Sequence, residues 1–208
     1  RMSKADTKKL LESKPFAVET IAALEKFVAG TEYDFEIDHA LLKLYQFHPS
    51  KVNKAVIAQI LARALATVPT CDFTQHLYLI PESVQSSDES IATCIAAHDL
   101  IERANFVEFW ARTTGPLFES ANFKKSVRAF ITDVVGKTYK AIKTEQYASL
   151  VNLSGAELTA HIKELETAGW KQSGDTLSIP SDISTVKPKP TAEVLQFEQF
   201  GRILAPLR

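Results

Sequence analysis

The sequence predicts a mostly α-helical fold, in which a helical repeat domain is followed by a winged-helix domain with a small β-hairpin. Apolar residues recur at helical spacing over most of the 208 residues. Prolines lie between these periodic segments and not inside them, which is typical of helices that end at defined positions. Strand signals are confined to the 170s, so the hairpin is expected after a long run of helices.

The first part of the chain is predicted to form helices joined by short turns. The predicted helices span residues 4–13, 16–29, 34–45, 51–67, 72–79, 88–101 and 104–112. The helix over residues 34–45 is apolar nearly all round, which predicts that it is buried. Residues 81–87 are predicted to form a polar loop. This succession is typical of stacked helical hairpins, and the absence of a strict sequence repeat makes any solenoid a degenerate one.

A long amphipathic helix is predicted from Phe123 to Lys143. Six basic residues against Asp133 alone give this segment a formal charge of +5. The candidate basic face consists of Lys124, Lys125, Arg128, Lys137 and Lys140. This face is either an ordinary solvated surface or a surface for an acidic partner or an RNA backbone, and the sequence leaves both interpretations open.

The winged-helix prediction depends on the residues that come after this helix. Ser154 and Glu157 form a capping signature that begins a helix, and Gly169 ends it. The segments 170–172 and 177–179 then flank Ser173-Gly174-Asp175, which predicts a tight hairpin. The helix that would enter a nucleic-acid groove carries Glu157, Glu164 and Glu166 against Lys163 alone. Since phosphate binding needs the opposite sign, this module is not expected to bind DNA.

Three regions are predicted along the chain: a helical repeat domain over residues 1–120, a winged-helix domain over 121–182, and a linker with a C-terminal tail over 183–208. Val186 to Pro190 is expected to be stiff and extended because of its prolines. The tail is apolar at Leu195, Phe197 and Phe200. Such a tail must pack on its own protein or on a partner, and the sequence favours neither.

Motifs for catalysis, cofactors or metals are not found in the sequence. Its five histidines are scattered among different segments, and no phosphate-cradling glycine loop or nucleophile elbow is present. Cys71 and His76 are five residues apart without an orienting group, although a cysteine can recruit a histidine from elsewhere in a fold. His98 and Asp99 are expected to point to different faces of one helix. The prediction is therefore a protein without enzymatic activity, cofactor, metal or small-molecule substrate.

The composition indicates the cellular location of the protein and the classes of partner that its charge does not attract. The formal net charge of −1 gives no global attraction to nucleic acid or to anionic lipid. No apolar run approaches the ~20 residues that span a bilayer, and no signal peptide is predicted at the polar start. Cytoplasm is the expected compartment, with the nucleus left open.

An ordered series of short motifs resembles the K subunit of eukaryotic translation initiation factor 3. The series begins with residues 41–49, continues through residues 58–65 and 123–139, and ends with Gly169-Trp170 and residues 186–189. The resemblance implies a HEAT-like repeat domain followed by a winged helix, related to the PCI domains of the proteasome lid and the signalosome. It further implies a non-enzymatic subunit of the factor that binds the small ribosomal subunit, with the L subunit as its close neighbour. The candidate basic face is then expected to meet either rRNA or an acidic subunit.

The resemblance also implies how the winged helix would dock. Winged helices of this kind associate side by side and extend their sheets through edge strands. The candidate partner-binding residues are therefore Trp170, Gln172, Leu177 and Ile179, together with Leu195, Phe197 and Phe200 of the tail. Two alternatives are a subunit of another PCI complex, such as the proteasome lid or the signalosome, and a winged-helix protein that binds nucleic acid directly. Three lysines against five acids between Lys143 and Ile179 oppose the second alternative.

Overall fold

The computed structural model describes residues 4–13, 16–30 and 32–180. This part of the chain is mostly helical, as predicted, and ends in a small antiparallel sheet. Its elements are α1 Lys4–Ser13, α2 Val18–Val28, α3 Phe35–Phe47, a 3₁₀ turn Pro49–Lys51, α4 Lys54–Leu65, α5 Asp72–Tyr78, α6 Glu82–Gln85, α7 Glu89–Glu102, α8 Phe106–Arg112, α9 Ala121–Thr138, β1 Ala141–Lys143, α10 Thr144–Val151, α11 Gly155–Thr167, β2 Lys171–Ser173 and β3 Thr176–Ser178.

Polar side chains cap α3 and α7, whereas the predicted capping signature at Ser154 is wrong, because Ser154 lies at the N-cap of α11 without a side-chain hydrogen bond. The Asp34 carboxylate accepts from the backbone N–H groups of Glu36 and Ile37, at 3.0 and 3.3 Å, and so caps α3. Asp88 caps α7 in the same way. Asp72, by contrast, is the first residue inside α5 and not its cap.

The helical part packs around α4, which contacts α2, α3, α5 and α7. Its buried residues are Val56, Ile57, Ala58, Ile60, Leu61, Ala62, Ala64 and Leu65. Helix α3 is largely buried as predicted through Leu41, Leu42, Leu44 and Tyr45, but its last residue, Phe47, is exposed. The alanines on α4 let neighbouring backbones approach closely, which explains how one helix can contact four others.

Two of the predicted boundaries in the helical part are wrong. The predicted loop over residues 81–87 contains the single-turn helix α6. The helix predicted from Ala104 begins instead at Phe106, because Ala104 has a left-handed backbone with φ of 55° that separates α7 from α8.

The long helix predicted from Phe123 to Lys143 is also wrong at its C-terminal end. Helix α9 ends at Thr138, Tyr139 takes an extended backbone, and residues 141–143 form strand β1. Ile142 continues the apolar arc of the helix in sequence, yet it is buried from a strand that pairs with β3. Strands are therefore not confined to the 170s, because pairing with a distant segment decides the state of residues 141–143.

The three strands form an antiparallel sheet in the order β1-β3-β2. The predicted hairpin is confirmed, with β2 shifted by one residue from the predicted segment 170–172. Its turn is Gly174-Asp175, and Gly174 has φ of 60°, a conformation that favours glycine at the first position of a two-residue turn. The order α9, β1, α10, α11, β2, β3 is that of a winged helix.

One hydrophobic core connects the helical part with the winged-helix part. Phe109 and Phe123 stack with ring centroids 6.4 Å apart, and the indole N–H of Trp110 donates to the Leu150 carbonyl at 2.9 Å. The predicted domain boundary at residue 120 thus lies within a packed interface and stays a prediction. The tail predicted over residues 183–208 lies outside the described residues.

Candidate docking surface

Among the residues that the structure describes, strand β2 is an open edge of the sheet. Because β3 lies in the middle, β1 and β2 occupy the two edges, and all three residues of β2 are exposed. The N–H of Ile179 donates to the Lys140 carbonyl and that of Thr144 to the Asp175 carbonyl, both at 2.9 Å. The odd-numbered residues along β3 therefore direct their backbone N–H and C=O groups toward β1.

This pattern fixes which backbone groups of β2 are available. Thr176 and Ser178 form their backbone hydrogen bonds with β2, where they lie opposite Ser173 and Lys171. Gln172 faces Leu177, so its own N–H and C=O point away from β3, to the open side of the sheet. A strand added there would pair with Gln172 through one donor and one acceptor.

The side chains predicted to bind a partner at this hairpin are mostly buried within the chain. Trp170 is 8% exposed, Leu177 1% and Ile179 7%. Leu177 lies opposite Ile142 in the sheet, and the Trp170 ring lies 5.7 Å from that of Tyr147. Of the four candidates only Gln172 is exposed. Leu195, Phe197 and Phe200 lie outside the described residues, so their contacts stay a prediction.

The predicted basic face does not form one continuous surface. The Arg128 guanidinium donates to the carbonyls of Val151 and Asn152, at 3.1 and 3.2 Å. Its carbon also lies 5.7 Å from the centroid of the Trp110 ring. These contacts tie α9 to the C-terminal end of α10, where a cation is favoured by the helix dipole. Arg128 is thus engaged inside the chain.

The four lysines of that face are dispersed. Lys137 pairs with Asp133 at 2.6 Å, one turn earlier on α9. Lys140 lies beyond the helix, at the start of β1, so its placement on a helical face is wrong. Lys124 is half-buried and Lys125 is exposed near the start of α9. Whether these lysines bind anything stays a prediction.

An exposed aromatic patch on the helical part was not predicted from the sequence. Phe16 and Phe47 form it and are 65% and 62% exposed, and Tyr78 on α5 is a further exposed aromatic residue at 83%. The rings of Phe16 and Phe47 meet edge to face at 5.6 Å. The Gln46 side chain donates to the Leu79 carbonyl at 2.8 Å and holds the ends of α3 and α5 together beside this patch. Its only sequence signal is the position of Phe47, just beyond the end of the predicted helix.

A hydrogen-bonded cluster joins the three helices of the winged helix. The hydroxyl groups of Thr132 on α9 and Tyr147 on α10 lie 2.8 Å apart, and Nε2 of His161 on α11 lies 3.0 Å from the Tyr147 hydroxyl. Burial lowers the pKa of His161, which favours the neutral ring. Beside this cluster, a shallow groove of about 450 Å³ between α9 and α11 is lined in part by Gly136 and Trp170. The cluster thus joins α9, α10 and α11 through side-chain contacts.

Two buried ionisable groups lie in the helical part. Burial raises the pKa of Asp38 to about 7, although Arg63 approaches its carboxylate at 3.9 Å. Burial also lowers the pKa of His76 to about 4. The His76 ring stacks on Phe35 with centroids 5.0 Å apart, and within the described part of the chain neither of its nitrogens lies in hydrogen-bond geometry with a partner. Solvent reaches neither Asp38 nor His76, so both influence stability and not surface chemistry.

The other residues considered for catalysis or metal binding are explained by burial or by local ion pairs. Cys71 is exposed whereas His76 is fully buried, and Cys94 is buried with a raised pKa. The ligand atoms of His98, Asp99 and Glu102 lie within 4.8 Å of one another, so His98 and Asp99 are closer than expected. Ion pairs one turn apart on α7 explain this group, since Asp99 pairs with Arg103 at 3.4 Å. None of the helices in the described ranges is both long and apolar enough to cross a membrane.

Comparison with known proteins gives consistent matches. A family model described as the CSN8/PSMD8/EIF3K family matches residues 51–190. Eukaryotic translation initiation factor 3 subunit K of Drosophila grimshawi is 34% identical over 181 residues, which are 85% of this chain and 80% of that protein. The proteins of the same name from Culex quinquefasciatus and Dictyostelium discoideum are 31% and 34% identical over 88% and 83% of this chain, and over 83% and 69% of their own lengths.

Proposed function

Because this chain belongs to the CSN8/PSMD8/EIF3K family, we propose that it is a non-catalytic scaffold subunit of a eukaryotic translation initiation factor 3 complex. The observation that carries this proposal is the similarity to subunit K proteins over 85% of the chain. The same matches confirm the resemblance on which the sequence-based prediction rests. On this proposal the chain works in the cytoplasm and supports initiation on the small ribosomal subunit through protein–protein docking.

The proposed docking element is the open edge of β2. Its backbone presents the N–H and C=O of Gln172, so docking there uses backbone groups and not the side chains of β2. A partner strand that pairs there extends the sheet without any rearrangement of the core, because the apolar side chains of the hairpin already pack inward. The L subunit is the partner that the resemblance favours. The tail residues Leu195, Phe197 and Phe200 are a proposed second contact.

The charge of α11 supports docking to protein over direct DNA binding. Its exposed Glu157, Glu164 and Glu166 outnumber Lys163, so the helix that a DNA-binding winged helix inserts into the groove would be repelled by phosphates. The helical part acts as a rigid spacer in this proposal because α4 packs against four neighbouring helices. The exposed aromatic residues Phe16, Phe47 and Tyr78 of the helical part offer further apolar contacts for a partner.

Affinity capture tests the proposal. The tagged full chain is incubated with cytosolic extract, washed in moderate salt, and the retained proteins are identified by mass spectrometry. We expect other subunits of translation initiation factor 3, with the L subunit foremost. Recovery of proteasome-lid or signalosome subunits instead would favour the alternative PCI complexes. A chain that retains neither set would contradict the scaffold function.

A further inference from the structure

The outer face of the winged-helix sheet is a small basic surface that the proposed function does not use. Ile142 and Leu177 lie opposite each other and are buried, so they mark the inner face against the helices. Side chains alternate along each strand, and the neighbouring residues therefore share the other face. This outer face consists of Ala141 and Lys143 of β1, Thr176 and Ser178 of β3, and Lys171 and Ser173 of β2.

This outer face is accessible and carries no acidic residue. Five of its six residues are exposed, and Thr176 is half-buried. Lys143 and Lys171 form no ion pair with any residue of the described ranges, in contrast to Lys137 on α9. The hydroxyl groups of Ser173, Thr176 and Ser178 lie on the same face. Two free ammonium groups with hydroxyl donors beside them form a suitable arrangement for phosphate oxygens.

The sheet register sets the spacing of the two lysines. Lys143 lies opposite Thr176, which lies opposite Ser173, while Lys171 is two residues along β2 from Ser173. With strands about 4.8 Å apart and a rise of about 3.4 Å per residue, their Cα atoms lie roughly 12 Å apart. Long flexible side chains at that spacing can reach two different phosphates. No strand residue on this face is aromatic, so it offers no platform on which bases could stack.

The distribution of charge along the chain favours approach of a polyanion from this end. Residues 4–13 and 16–120 together contain 16 acidic and ten basic residues, whereas residues 121–180 contain six acidic and eight basic residues. The helical part therefore repels a polyanion, and the winged-helix part attracts it.

We propose that the outer face of the sheet, through Lys143 and Lys171, docks on the phosphate backbone of helical RNA. The choice of RNA rests on the proposed function in translation initiation, whereas the surface itself rests on the register and charges of the strands. Contacts to phosphate carry no sequence information, so binding is sequence-independent and depends on salt. Double-stranded RNA fits this face because its backbone is exposed while its bases are stacked inside.

The test is a salt titration with the full chain and a fluorescent RNA duplex of about 16 base pairs. Binding is measured by anisotropy for the wild type, for the double variant K143Q/K171Q, and for K124Q/K125Q, which removes the same charge from α9. Since each phosphate contact contributes about one to the slope of log K against log salt, we expect K143Q/K171Q to lower that slope by about two. K124Q/K125Q is expected to change the slope of log K against log salt by less than about 0.5.

Thermal unfolding and competition by an acidic peptide are the two further measurements that interpret the titration. Thermal unfolding is expected to be unchanged in K143Q/K171Q, because both side chains are exposed, and it is measured for K124Q/K125Q as well because Lys124 is half-buried. An equal loss of slope in both variants, or none in K143Q/K171Q, overturns the proposal. Displacement of the RNA by a polyglutamate peptide at equal charge concentration also overturns it, because the face would then bind acidic protein.

Affinity capture with K143Q/K171Q distinguishes this inference from the proposed function. We expect this variant to retain the same initiation-factor subunits as the wild type. Loss of those subunits in K143Q/K171Q would assign the face to a protein partner and overturn the RNA proposal. If the wild type itself retains no such subunits, the scaffold function fails while the RNA titration still decides the role of the face.

Discussion

Substitution of Arg128 tests whether this residue of the predicted basic face stabilises the fold. Replacement of Arg128 by glutamine removes the guanidinium that donates to the carbonyls of Val151 and Asn152, at 3.1 and 3.2 Å. It also removes the cation over the Trp110 ring. These contacts join α9, α8 and the end of α10, so their loss is expected to loosen the packing of all three helices.

The magnitude can be worked out from the contacts that disappear. Hydrogen bonds from a charged donor contribute about 1.5–3 kcal/mol when buried, and we take about 1 kcal/mol for each of the two because Arg128 is only half-buried. The cation–π contact adds about 0.5–1 kcal/mol. The expected loss is therefore about 2–3 kcal/mol in the free energy of unfolding. For a chain of this size each kcal/mol lowers Tm by roughly 2–4 °C, so we expect a decrease of about 5–10 °C.

Urea denaturation followed by circular dichroism measures this effect. Lys125→Gln is the matched control, because it removes one positive charge from an exposed position on the same helix and is expected to cost less than about 0.5 kcal/mol. Arg128→Lys keeps the charge but cannot donate in the same forked geometry, so it is expected to recover less than half of the loss. An Arg128→Gln variant that is as stable as Lys125→Gln would refute the structural role of Arg128.

Two further predictions concern stability. Gly136→Ala is expected to stabilise the protein by about 0.5–1 kcal/mol. The added Cβ would lie 3.6 Å from the Trp170 ring, an ordinary contact, and any destabilisation in urea would contradict this placement. His76→Phe tests the lowered pKa of His76, about 4, which burial causes. Between pH 6.5 and 4 the unfolded chain binds a proton that folded His76 does not, so stability falls as pH falls through this window. Relative to the wild type, the variant is expected to gain up to about 1.4 kcal/mol per pH unit there, and a constant difference would contradict the assignment. The raised pKa of Asp38 acts in the opposite direction, but Asp38 is present in both proteins and cancels in the comparison.

The helices of the first part could be predicted because each is a local pattern. Apolar residues at helical spacing, with prolines between the segments, indicate these helices from local sequence alone. Strand β1 could not be predicted in this way. Ile142 extends the apolar arc of α9 in sequence, and its strand conformation depends on pairing with Leu177, 35 positions later in the chain. The single turn of α6 is too short to produce a periodic signal.

The candidate surface was only partly predictable, for the same physical reason. The sequence indicates that Arg128 is basic, but not that the Val151 and Asn152 carbonyls engage its guanidinium. Apolar residues in a short hairpin suit either a partner or the chain's own core, and Leu177 is in fact buried in that core. Exposed aromatics such as Tyr78 are recognised only once the packing around them is known.

Capture of partners through the β2 edge is the most direct test of the docking account. Tagged wild type, Gln172→Pro and Gln172→Val are compared in cytosolic extract, with retained initiation-factor subunits quantified by mass spectrometry against the bait. Proline removes the outward N–H of residue 172 and leaves the bonds between β2 and β3 intact, while valine keeps that N–H. One lost hydrogen bond of about 1 kcal/mol predicts at least roughly fivefold less partner on Gln172→Pro, with Gln172→Val like the wild type. Equal recovery on all three chains would contradict docking through this edge.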